Sequence, residues 1–126
     1  MKSSIKLFFV ILLGVGITMA TSCKKEAELP TVTTADITSV TSNSAVGGGD
    51  VTSDGEADIT ARGICYDKIN ATPTIDNNKT TDGSSTGSYS STMSGLLPNT
   101  TYYVRAYATN EVGTAYGATK EFTTGM

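Results

Sequence analysis

The segment Thr101–Asn110 alternates with period two. Tyr102, Val104, Ala106 and Ala108 fall on one face of an extended chain, and Tyr103, Arg105, Tyr107 and Thr109 fall on the other. Small apolar groups on the first face turn it inward and leave the second face outward. No stretch of the mature chain sustains an apolar 3.6-residue period, so the remaining segments are expected to be strands as well. Short runs with β-branched or aromatic residues predict strands at 36–40, 44–51, 59–67, 88–95 and 120–124, with a shorter one at 113–116. A short edge strand is expected near Thr74–Ile75. Asp54-Gly55 reads as a hairpin-type turn between the second and third of these. Leu97-Pro98-Asn99-Thr100 breaks the chain again, because Pro98 cannot donate to a central ladder. Asn110-Glu111-Val112-Gly113 joins the last pair. With 126 residues there is room for one domain of ordinary size, and many short strands imply an all-β sandwich or barrel.

The start of the chain reads as an address. Lys2 and Lys6 precede the apolar run Leu7–Ile17, which is followed by Thr18-Met19-Ala20-Thr21-Ser22 and Cys23. A basic start, an apolar core and small residues compose a secretory signal over 1–22. As a helix the run spans only about half of a bilayer core, which disfavours a membrane span. Ala20-Thr21-Ser22-Cys23 resembles the bacterial lipobox, although Ala20 stands where that motif prefers Leu. The resemblance implies cleavage before Cys23 and a diacylglycerol thioether on its sulfur. Residues 23–30 then form a tether, and 31–126 form the domain.

The F-strand candidate carries a family likeness. Gly95-Leu96-Leu97-Pro98-Asn99-Thr100-Thr101-Tyr102, with the spacing Leu96-x-Pro98-x-Thr100-x-Tyr102, resembles the E–F corner and F strand of a fibronectin type III domain. The closing Glu121-Phe122-Thr123-Thr124 also resembles the end of such a domain, and Asp54-Gly55, Arg62-Gly63-Ile64-Cys65-Tyr66, Asp82-Gly83 and Asn99-Thr100-Thr101-Tyr102-Tyr103-Val104-Arg105-Ala106-Tyr107 are similar to the fibronectin-type repeats of Bacteroidetes surface lipoproteins. The likeness covers about 31–124. It implies an immunoglobulin-like, seven-stranded β-sandwich in which Leu96, Pro98 and Tyr102 form a structural tyrosine corner. By the same likeness, Ile64 and Tyr66 face the core. Lys24-Lys25-Glu26 resembles the surface-export signal of such lipoproteins, which implies display on the outer face of the outer membrane.

Two departures from that family stand out. The chain lacks Trp, and its B-strand candidate carries Gly47-Gly48-Gly49. Mid-strand glycines supply no side chain to pack, so either another backbone approaches closely or a bulge lies there.

Catalytic chemistry finds few residues to work with. No His is present to activate a Ser, Thr or Cys, and no Gly-Lys-Ser/Thr follows the glycines as a phosphate loop requires. Asp54-x-Glu56-x-Asp58 would align three carboxylates if extended, but a solvated rim is the simpler reading. Net charge −3 and a sequence pI near 4.7 argue against nucleic acid as a partner. No enzyme activity, metal or cofactor is expected. Tyr103, Arg105 and Tyr107 share the outward face of the F-strand candidate, with Tyr116 on a neighbour. Tyr and Arg are enriched at interfaces, so these four are the candidate contacts for a glycan or protein ligand. The functional expectation is a membrane-anchored, surface-exposed binding or adhesion module. The alternative is a structural spacer or assembly subunit of a cell-envelope complex, facing the periplasm.

Overall fold

The computed structural model describes residues 26–126. The signal segment, Cys23, Lys24 and Lys25 lie outside the described residues. Two antiparallel sheets face each other. β1 (Thr31–Thr34), β2 (Ala45–Ser53) and β5 (Gly87–Met93) form one, in the order β1-β2-β5. β3 (Ala61–Asp67), β4 (Asn78–Lys79), β6 (Thr101–Thr109), β7 (Thr114–Tyr116) and β8 (Lys120–Thr123) form the other, in the order β4-β3-β6, with β7 and β8 both pairing β6. β7 and β8 are two pieces of one edge. β7 pairs the end of β6 at Tyr107↔Tyr116, and β8 pairs its start at Val104↔Lys120. The interruption falls at Gly117, where any Cβ would press on the Thr34 hydroxyl.

The alternation in β6 settles the core. Tyr102, Val104, Ala106 and Ala108 are all buried between the sheets. They meet Val32, Ala45, Val51, Ile64, Met93 and Leu96 there. Ile64 and the partly buried Tyr66 point inward from β3, as the family likeness implies. Close approach explains Gly48 and Gly49, whereas at Gly47 a Cβ would meet only side-chain tips. A Cβ on Gly49 would stand 2.6 Å from the Ala106 Cβ and 2.7 Å from the Tyr89 hydroxyl. The sheets pinch together at that point, and the Tyr89 phenol crosses the gap. It donates to the Gly63 carbonyl at 2.7 Å.

The strand expectations need three corrections. The first strand is Thr31–Thr34, not 36–40, where only Thr38 bridges Val46. Ser39 adopts φ +51°, which turns the chain out of an extended path. The short edge strand lies at Asn78–Lys79 and not at Thr74–Ile75. Asp54-Gly55 makes no hairpin, because β2 and β3 belong to different sheets and the turn carries the chain across the sandwich.

Candidate binding surface

The outward face of β6 does not present the expected four-residue platform. Tyr107 is 1% exposed. Its hydroxyl donates to the Thr80 carbonyl at 2.6 Å, beneath the chain that follows β4. Burial pushes its phenol pKa up. Thr80 keeps half of a ladder pair with Ile64, donating its N–H to the Ile64 carbonyl at 2.9 Å, while its own carbonyl turns to Tyr107. The Thr80 hydroxyl, rather than its carbonyl, accepts the Ile64 N–H at 3.0 Å. Gly63 makes the crossing feasible, since any Cβ there would overlap the Thr80 carbonyl oxygen.

Arg105 and Tyr116 are occupied in the same way. The Arg105 guanidinium lies 4.1 Å from the Tyr116 ring centroid, and its Nε donates to the Pro73 carbonyl at 2.7 Å. The Tyr116 hydroxyl accepts the Ile75 N–H at 3.2 Å. Pro73 is fully buried as a result. The polar stretch between β3 and β5 is therefore stitched across this sheet. Three of the four candidates hold the stitching, and Tyr103 is left half-buried near the β8 edge. Cys65 lies under the same cover, fully buried, and burial pushes its thiol up to about 12.

Leu96, Pro98 and Tyr102 sit where the E–F corner was expected. Leu96 is buried, Pro98 is exposed, and the Tyr102 hydroxyl accepts the Leu97 N–H at 2.9 Å. The Tyr102 ring stacks on Phe122 at 5.8 Å between centroids.

A concave feature lies elsewhere, at the end of the sandwich where β2 finishes. Asp54, Asp58, Ile59, Ser84, Ser85 and Thr86 line an open depression of about 410 Å³. Arg62 shapes one wall. Its Nη1 donates to the carbonyls of Ser85 (2.7 Å) and Thr86 (3.1 Å), and its Nε to that of Asp82 (2.8 Å). The same guanidinium covers the Tyr89 ring at 4.7 Å. The wall is thus held by the protein's own hydrogen bonds. Gly55 and Glu56 both have φ near +70°, so the 54–58 turn is not extended and does not align its carboxylates. Among the described residues no three His, Cys, Asp or Glu side chains gather as metal ligands. The sequence signal for this depression was indirect: Asp-Gly pairs at 54 and 82 mark two turns, and the topology brings them together.

No family model matches the chain, and no curated protein does. Solved structures do. The sensor domain of the anti-sigma factor RsgI4 from Pseudobacteroides cellulosolvens is 17% identical over 79% of this chain and 98% of that one, with a TM-score of 0.56. A fourth fibronectin type III domain from human is 17% identical over 84% and 85%, with a TM-score of 0.57. The third fibronectin III domain of the human KIAA0343 protein is 18% identical over 84% and 91%, with a TM-score of 0.53. At these identities the likeness concerns fold, and it agrees with the two-sheet order and the β6 core. The described residues thus have a fibronectin type III-like β-sandwich fold of the immunoglobulin-like class.

Proposed function

We propose that this chain is an outer-membrane lipoprotein, anchored through Cys23 and displayed at the cell surface, whose single domain is a non-catalytic binding module. The observation that carries the binding reading is the depression walled by Asp54, Asp58, Ser84, Ser85 and Thr86 and braced by Arg62. Carboxylates and hydroxyls on a preset wall match the hydrogen-bonding pattern of a polyhydroxylated ligand, and a glycan is the chemical class that fits. A structurally similar domain is the sensor domain of the anti-sigma factor RsgI4, and a binding role for this scaffold is in keeping with that. The anchor reading rests on Ala20-Thr21-Ser22-Cys23 after the apolar run.

A glycan array probed with residues 26–126, then titration of any hit against Asp58→Ala, tests the binding site. A saturable hit that weakens at least about tenfold in the variant supports it. Absence of any hit, with a protein partner recovered by crosslinking on cells, favours the assembly-subunit alternative. Proteinase K treatment of intact cells tests display: loss of the C-terminal part with a periplasmic control protected supports the surface, and protection until the outer membrane is breached places the domain inside.

A further inference from the structure

The chain joins the sandwich before β1 begins. The Glu28 N–H donates to the Gly55 carbonyl at 2.8 Å. Asn110, 4% exposed, donates its amide nitrogen to the carbonyls of Glu28 (2.7 Å) and Asp54 (2.9 Å). The Asn110 side-chain oxygen accepts the N–H groups of Val112 (2.8 Å) and Gly113 (3.3 Å). One buried amide thus binds the entering segment, the 54–58 turn and the 110–113 turn into one unit. Gly55 leaves the room this needs, since a Cβ there would overlap the Glu28 carbonyl oxygen. Pro30 is buried immediately afterwards.

The free length of chain before this lock is short. From residue 23 to residue 28 a fully extended backbone reaches at most about 18 Å. β2 and β6 are nine residues each, so the two ends of the sandwich stand about 30 Å apart. The far end carries the 41–43 turn, the 94–99 turn and the C-terminus, tied by Gly125 N–H to the Thr41 carbonyl and Leu96 N–H to the Asn43 carbonyl.

We infer that residues 28–30 are a fixed arm and not a loose tether, and that they hold the 54–58/110–113 end of the domain against the membrane that carries Cys23. The inference rests on the anchor reading for the identity of what Cys23 is attached to.

The test uses the full-length lipoprotein in vesicles of phosphatidylethanolamine and phosphatidylglycerol with a headgroup-linked acceptor dye. A donor dye is attached through an azide-bearing amino acid in place of Glu111 or of Met126, both exposed. Transfer from position 111 should exceed transfer from 126 by more than about twofold, as a height difference of about 30 Å requires. Equal or reversed transfer overturns the inference. A Gly/Ser run of about 12 residues inserted between Ala27 and Glu28 adds about 20 Å of reach and should erase the difference. Persistence of the difference shows that the short arm does not set the orientation. If the cellular product fails to associate with vesicles, the anchor reading alone fails. Coupling Cys23 to a maleimide lipid then gives the same comparison, with Cys65 shielded by burial.

Discussion

The Tyr107 hydroxyl donates to the Thr80 carbonyl at 2.6 Å, directly over Gly63, its cross-strand neighbour on β3. A tyrosine on the outward face of a sheet is thereby turned into a buried support for the polar segment that crosses it. Tyr107→Phe leaves that carbonyl without its donor and should cost about 1–2 kcal/mol. Gly63→Ala forces a methyl group into the Thr80 carbonyl and should cost about 1–3 kcal/mol, with the 72–80 segment becoming protease-sensitive. Urea midpoints and limited proteolysis check both. Unchanged proteolysis in Gly63→Ala would contradict the crossing.

The E–F corner supplies a paired comparison. In Tyr102→Phe the Leu97 N–H loses its acceptor, and the domain should be destabilised by about 1–2 kcal/mol. Tyr103→Phe should change stability by less than about 0.5 kcal/mol, because no packed or hydrogen-bonded feature is removed. Chemical denaturation of the two variants in one buffer reads the difference, and the reverse order would contradict the facing of β6.

The glycines of β2 should part company. At Gly49 a new Cβ meets the Ala106 Cβ and the Thr33 carbonyl, neither of which can yield, so Gly49→Ala should cost about 1–3 kcal/mol. At Gly47 it meets the Ile64, Ile37 and Met93 side-chain tips at 3.2–3.5 Å. Those ends can rotate away, and strand propensity favours Ala over Gly by about 0.5–1 kcal/mol. Gly47→Ala should therefore lie within about 1 kcal/mol of the parent. Thermal midpoints decide.

Stability should also fall in alkali. Burial raises the Cys65 thiol from its ordinary 9.0 to about 12 and raises the phenols of Tyr89, Tyr107 and Tyr66 above 10. Above about pH 9 the unfolded chain releases protons that the folded domain retains, so stability declines as pH rises, by up to about 1.4 kcal/mol per pH unit for each group fully in its window. Below that pH these groups are protonated in both states and contribute no slope. Urea midpoints measured from pH 7 to 11 should be level and then drop. Cys65→Ala should delay the onset, because the thiol ionises first in the unfolded chain.

What could be read from the residues alone was the part governed by local periodicity. The β6 alternation announces its own inward face, and Leu96-x-Pro98-x-Thr100-x-Tyr102 marks the corner before it. The fate of the outward face is not legible there, because period two says only that a residue leaves one core. It cannot say whether a distant segment returns to cover it. The available hint was Gly63, since a glycine inside a strand often marks a close backbone approach. Likewise Asn110 reads as a turn residue, and only the assembled sandwich brings Glu28 and Asp54 within its reach.

The sealed thiol of Cys65 has a practical corollary. A group fully buried and held protonated does not react with aqueous disulfides, so the folded domain is indifferent to an oxidising compartment while the unfolded chain is not. Its capture rate by a thiol reagent then counts how often the 72–80 cover and the sheet beneath it part, and the domain carries its own clock for opening.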